Sequence, residues 1–191
     1  MSAPPPQLQA FHLGYVVRDI YASMEHYRRL LGVDNWHVRE NESPGVPWDP
    51  ELTGGKVLMA YGRGAGQTFE FIKVIEGYTA QSRFLERYGE GINHIGFWAP
   101  DLRESLRDAV ARGATITSAR IDPDQNGVIQ LQPGCSSDEI IEKMNVGRPA
   151  FFDDGFSMVQ IELIGPGTNL RNWLKEDFEN VIVPPPWPVG T

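Results

Sequence analysis

The sequence predicts an α+β fold written twice: a strand–helix–three-strand module followed by a second copy of itself. Three observations carry this. The segment "HLGYVVRDIYASM" at 12–24 is restated as "HIGFWAPDLRESL" at 94–106, with His, Gly, Asp and Ser coinciding and apolar positions matched in kind. Each copy passes from a strand-like apolar run into apolar residues at helical spacing. Two later segments, "TFEFI" at 68–72 and "QIELI" at 160–164, also match, and each encloses one glutamate. A self-similar chain of this kind is read as duplicated modules before anything else.

The elements follow in order. Residues 1–10, with three consecutive prolines, are read as a flexible tail. The first module with its linker helix spans 11–88. It opens on the His12 strand; Asp19 stands where a helix N-cap belongs. Ile20, Met24, Tyr27 and Leu31 then form an apolar stripe, with Glu25, Arg28 and Arg29 on the other side and Gly32 placed to end the helix. "WHVRE" is a strand, "NESPGVPWDPELTGG" a loop, and "KVLMAYG" pairs through a glycine-rich turn with "TFEFIKV". "YTAQSRFLERYGEG" is a joining helix closed by glycine.

The second module spans 89–166. Asp101 with Glu104 makes a capping-box pattern, Leu102, Leu106, Ala109 and Val110 make the stripe, and Gly113 ends the helix. "TITSARI" is a strand. An insertion at about 122–147 carries a short helix at "SSDEIIEKM". "RPAFF", an Asp154–Gly155 hairpin turn and the strand "FSMVQIELI" complete the copy. Residues 167–191 hold a last helix, "NLRNWLKEDFEN", and a proline-rich tail read as extended polyproline.

Composition removes several classes of function. The 191 residues carry 17 basic and 25 acidic side chains, a net charge of −8, so a basic surface for nucleic acid is not expected. No apolar run reaches membrane-spanning length, and no membrane partner is expected. Cys135 is the single cysteine, which excludes an intrachain disulfide and suits a reducing compartment. The start lacks the features of a secretory signal, so a cytoplasmic protein is expected. Its partners are expected to be a small-molecule substrate and a second copy of the chain in a homodimer.

Each copy supplies one strand histidine and one strand glutamate: His12 and Glu70, then His94 and Glu162. A carboxylate among Phe, Ile and Leu is destabilising unless paired or metal-bound. A lone strand histidine is ordinarily a hydrogen-bonded core residue, and a lone strand glutamate ordinarily faces solvent. Two of each at matching places in a repeat are different, because duplication kept for packing alone would retain apolar residues. If the copies curl about a common axis, the four converge, and two histidines with two carboxylates suit one divalent Zn, Ni, Co, Mn or Fe ion. Gly14 and Gly96, two residues after each histidine and on the same face, leave space beside the metal. By the same alternation Val16 shares a face with His12, Trp98 with His94, and Gln160 with Glu162; these three and His37 are candidates for substrate contact. Arg148 and Lys143 could neutralise an acidic substrate. His26 is read as solvated, and Cys135 has no histidine nearby to activate it.

On these residues, and on "SRFLERYGEGINHIGFWAPDL", the chain resembles the vicinal oxygen chelate superfamily over about residues 11–165, most closely its glyoxalase I and methylmalonyl-CoA epimerase branch. The resemblance implies a cupped, mostly antiparallel sheet around one divalent metal held by His12, Glu70, His94 and Glu162. It implies a metal-dependent isomerase or lyase that moves a proton alpha to a carbonyl through an enolate-like intermediate, with Glu162 the first candidate base and Glu70 the second. Two departures stand out. The region of the epimerases' separate glutamate base reads "DPELTGGKVLM", where Glu51 does not align cleanly, and the glutathione contacts of glyoxalase I are not evident. Two alternatives stay open: an extradiol-type Fe(II) dioxygenase, against which a fourth ligand argues, and a non-catalytic small-molecule binding protein of the same fold. Fold and ligand set do not select among reactions. The insertion and the C-terminal helix are expected to cover an apolar cup and govern substrate choice.

Overall fold

The computed structural model describes residues 8–168. In order they form β1 (Gln9–Val16), α1 (Ile20–Leu31), β2 (Asp34–Val46), β3 (Asp49–Gly64), β4 (Gln67–Tyr78), α2 (Ala80–Tyr88), β5 (Gly91–Trp98), α3 (Leu102–Ala111), β6 (Thr115–Ala119), α4 (Ser137–Lys143), β7 (Ala150–Asp153) and β8 (Gln160–Ile164). The strands make one curled eight-stranded sheet in the order β2-β3-β4-β1-β5-β8-β7-β6. In each half the last strand lies parallel beside the first, β4 on β1 and β8 on β5. Every other pairing is antiparallel, including the β1–β5 seam that joins the halves. No helix among the described residues is long and apolar enough to cross a membrane. Residues 1–7 of the proline-rich tail, the C-terminal helix and the polyproline end lie outside the described residues.

The helix boundaries follow from local chemistry. Asp19 accepts the Ala22 N–H to start α1, and Gly32 ends it at φ 63°, donating its N–H to the carbonyls of the last turn. Asp101 accepts the Glu104 N–H to start α3, and Gly113, at φ 102°, follows its C-cap. α2 and α4 each open with a reciprocal capping box, Thr79 with Ser82 and Ser136 with Glu139.

Two stretches differ from the sequence reading. "NESPGVPWDPELTGG" is not a loop: β2 and β3 run through it as a long hairpin, pairing Glu42 with Lys56, Ser43 with Gly55 and Pro44 with Gly54. Pro44 is tolerated because β2 is an edge strand. The glycines serve close backbone approach between strands: a Cβ on Gly55 would lie 1.9 Å from the Glu76 carbonyl oxygen. The Asp154–Gly155 pair does not make a tight hairpin either. Residues 154–159 bridge β7 to β8, gathered by the Asp154 carboxylate, which accepts the N–H groups of Phe156 and Ser157.

Among the described residues, α1, α3 and α4 pack on one face of the sheet through apolar clusters. Ile20 and Val17 meet Phe71 and Ala60 under α1, with Met24, Tyr27 and Trp36 packed alongside. Leu102 and Leu106 of α3 meet Ile116, Leu163 and four residues of the insertion: Leu131, Ile140, Ile141 and Met144, none more than 5% exposed. The Arg103 guanidinium binds α4 to α3 through the carbonyls of Ile141, Glu142 and Met144. Apart from Gly147, which lines the cavity, the insertion's apolar core residues back α3 on the helical face and do not cover the cup. Its apolar residues had a nearer core to fill. Strand alternation sends His12, Glu70, His94 and Glu162 to the opposite, concave face.

Candidate metal centre and its cavity

The site is assembled around two glycines. In the β1–β5 ladder His12 stands opposite Gly96, and His94 opposite Gly14. A Cβ on Gly14 would lie 2.0 Å from His94 Cε1, and one on Gly96 would lie 2.3 Å from His12 Cε1. Each glycine thus clears the imidazole of the other half. The parallel ladders add the carboxylates, setting Glu70 beside Gly14 and Glu162 beside Gly96.

His12 Nε2 lies 2.9 Å from His94 Nε2 and 3.0 Å from both Glu70 Oε2 and Glu162 Oε2. His94 Nε2 lies 2.9 Å from Glu70 Oε2 and 3.5 Å from Glu162 Oε2. Two donors each about 2.1 Å from one ion stand about 3.0 Å apart at a right angle and about 3.4 Å apart at the tetrahedral angle. The observed spacings run from 2.9 to 3.5 Å, within about 0.1 Å of those two values, and all four donors are buried within 4.8 Å of one another. His94 Nδ1 faces the Asn93 amide oxygen at 3.1 Å, a partner that can hold the ring proton on Nδ1 when an ion takes Nε2. Glu162 Oε2 is buried and approached only by the ring nitrogens of His12 and His94, with no hydroxyl or amide donor on it, which leaves acceptor capacity that a cation satisfies. The residues present therefore fit a divalent ion.

Burial alone would lower the pKa of His12, but the carboxylates of Glu162 and Glu70 outweigh it and push His12 up to about 10. Burial works the other way on Glu70, where the hydrogen bonds of His12 and His94 prevail and hold its carboxyl below the ordinary range. A proton on His12 occupies the attraction a metal would use, so ion uptake must release it. Tyr61 is fully buried and donates its hydroxyl to Glu70 Oε1. Desolvation, then the charges of Glu70 and Glu162, raise the phenol well above its usual value and keep it a neutral donor.

A cavity of about 620 Å³ opens beside the cluster, with Glu70, His94 and Glu162 in its lining. Val57, Met59, Tyr61, Ile72 and Phe151 form its apolar wall, and Arg39, Arg120 and Arg148 also face it.

Of the candidates for substrate contact, Gln160 lines this cavity. Val16 and Trp98 are fully buried elsewhere, Trp98 against the Phe11 ring at 4.7 Å, and neither is in the lining. His37 pairs with Tyr61 across the hairpin, but on β2 the lining begins at Arg39. Lys143 donates to the Gln130 carbonyl within the insertion, whereas Arg148 lines the cavity. Glu51 is ion-paired with Arg83 at 3.0 Å and does not line the cavity. His26 is exposed, and Cys135 is partly buried against the α3 cluster. Sequence reading had not singled out Tyr61, Phe151, Asn93, Arg39 and Arg120. Only Asn93, directly before a candidate ligand, carries a local signal; the others depend on strand register.

The model of the glyoxalase/bleomycin resistance protein/dioxygenase superfamily matches residues 11–130. The chain belongs to this superfamily, the vicinal oxygen chelate proteins. Among solved structures it is similar to methylmalonyl-CoA epimerase from Mycobacterium tuberculosis, with TM-score 0.57 and 19% identity over 90% of this chain and 97% of that one. A methylmalonyl-CoA epimerase from Streptomyces coelicolor in complex with 2-nitronate-propionyl-CoA gives TM-score 0.54 and 19% identity over 82% of this chain and 96% of that one. A mutant 4-hydroxymandelate synthase from Streptomyces coelicolor gives TM-score 0.54 and 19% identity, covering 85% of this chain and 39% of that one. At these identities the likeness is one of fold. No curated protein matches the chain by sequence.

Proposed function

We propose that the protein is a metal-dependent isomerase or lyase that moves a proton alpha to a carbonyl of a small or medium-sized organic substrate. The observation that carries this reading is a buried four-donor cluster, two donors from each half, opening on a cavity beside a carboxylate oxygen that only the two histidines approach. His12, Glu70, His94 and Glu162 would hold a divalent ion, which would supply Lewis-acid stabilisation to a substrate oxygen. Glu162 takes the alpha proton and returns it, because no hydroxyl or amide holds its Oε2. Glu70, bound by Tyr61 and facing both histidines, stays in place. Val57, Met59 and Phe151 keep water from the reacting carbon, where charge interactions then act in a lower dielectric. Arg39 and Arg148 suit an acidic group on the substrate, although Glu40 and Glu42 share the lining and Arg120 is paired with Asp122.

The epimerase neighbour holds a CoA thioester analogue, so 2-substituted acyl-CoA thioesters are the first compounds to test. Incubation in D₂O should place deuterium at the alpha carbon, with Glu162→Gln slower by about 10²- to 10⁴-fold. Elemental analysis should find one divalent ion per wild-type chain and none with His94→Ala. Equal metal content in both refutes the ligand set, and oxygen uptake without solvent exchange moves the protein to the dioxygenase class.

A further inference from the structure

The repeat offers an internal control, since each feature of one half can be compared with its counterpart in the other. Both halves place an aromatic residue across the last hairpin from the ligand glutamate. Tyr61 of β3 pairs with Glu70 of β4, and Phe151 of β7 pairs with Glu162 of β8. Each ring lies edge-on to a ligand histidine, Tyr61 to His12 at 5.9 Å and Phe151 to His94 at 5.3 Å. Both face the cavity. The pseudo-twofold relation therefore extends to these rings and breaks at one atom. Tyr61 has a hydroxyl, and it donates to Glu70 Oε1 while both histidines contact Oε2. Phe151 has none, and Glu162 Oε2 is left with its two histidine contacts, the longer at 3.5 Å.

We propose that the Tyr61 hydroxyl makes the two glutamates unequal: it fixes Glu70 as a permanent ligand, and Phe151 leaves Glu162 as the carboxylate free to move off the ion and carry a proton. This rests on the metal-dependent reading above. Glu70 has both oxygens engaged and must break a hydrogen bond to rotate, whereas Glu162 has no such tether. Tyr61 acts through Glu70 and is a positioning residue.

The test uses the full chain, stripped of metal and titrated with Co(II) by calorimetry. Co(II)-loaded protein is then titrated with acetohydroxamate, a bidentate oxygen chelator that needs room at the ion. Tyr61→Phe should bind Co(II) about tenfold more weakly, as expected when the partner behind a ligand is lost. Phe151→Tyr tethers both glutamates. It should hold Co(II) at least as tightly as wild type but bind acetohydroxamate about tenfold more weakly. Tyr61→Phe/Phe151→Tyr moves the hydroxyl across the site and should return both constants toward wild type, which a merely structural hydroxyl would not do. Circular dichroism establishes that each variant is folded. If Tyr61→Phe does not fold, the acetohydroxamate constant of Phe151→Tyr decides alone. Unchanged Co(II) affinity in Tyr61→Phe, or unchanged acetohydroxamate affinity in Phe151→Tyr, overturns the proposal and leaves the metal reading standing. Wild-type protein that binds no Co(II) overturns both.

Discussion

Replacing Gly14 by alanine adds one methyl group, and the structure places it inside the His94 ring. The new Cβ would stand 2.0 Å from Cε1, 2.2 Å from Nε2 and 2.5 Å from Nδ1. Ordinary contact begins near 3.4 Å, so the ring must retreat by about 1.4 Å. Metal–ligand distances tolerate only about 0.2 Å, so His94 cannot retreat that far and remain a ligand. Overfilling a tight site costs about 1–3 kcal/mol of stability by itself. The diagnostic readout is therefore the response to metal, not the melting temperature alone. An ion at a hundred times its dissociation constant stabilises the folded wild type by about 2.7 kcal/mol. For a chain of this length that raises Tm by about 5–10 °C. Thermal melts of metal-free protein with and without added Co(II) should show this rise in wild type and none in Gly14→Ala. A folded Gly14→Ala that gains the full wild-type increment would refute the argument, since the ring would then have kept its place despite the added carbon.

Three more outcomes are expected. Asn93→Ala removes the oxygen that holds the His94 Nδ1 proton and should weaken Co(II) binding about tenfold in calorimetry, with the fold unchanged by circular dichroism. Arg83 binds Asp49 at 2.6 Å, and that hydrogen bond leads in holding the Asp49 carboxyl below its ordinary value. The stabilisation is present above the unfolded-state value near 4 and is lost as pH falls through the lower folded value. Both side chains are partly exposed, so the Tm gap between wild type and Arg83→Met should be about 2–4 °C near pH 6 and should close toward about pH 2. Ile141→Ala should lower unfolding free energy in urea by about 2–5 kcal/mol, because Ile141 is fully buried against α3; a loss below about 0.5 kcal/mol would show that the insertion is not part of the core.

What could be read from the sequence was what repeats or caps. His12 and His94 stand at the same place in two copies, and a coincidence of polar residues in apolar strands is visible without knowing where the strands go. Asp19 and Gly32 act within one turn of where they are written. Alternation assigned the face of each strand but not the depth along it. Val16 and Trp98 share a parity with the histidines yet sit away from the open cavity, while Gln160 sits in its wall. The stretch holding Pro44 and Gly54 reads as a loop because local chemistry cannot distinguish a loop from an edge hairpin whose strands cross close together. The insertion was read as a cover because its partner, α3, lies remote from most of it in sequence. Tyr61 needed the β3–β4 register before its hydroxyl had any meaning.

The seam between β1 and β5 also bears on descent. Two identical half-length chains meeting across such a seam would carry the same residue at the Tyr61 and Phe151 places and present an ion with interchangeable glutamates. No substitution could tether one of them without tethering its twin. Once both copies lie in one chain, each drifts on its own, and a hydroxyl can be kept on one side and dropped from the other. On the roles proposed above, fusion would let one centre contain both an anchor and a moving part, each set by its own sequence.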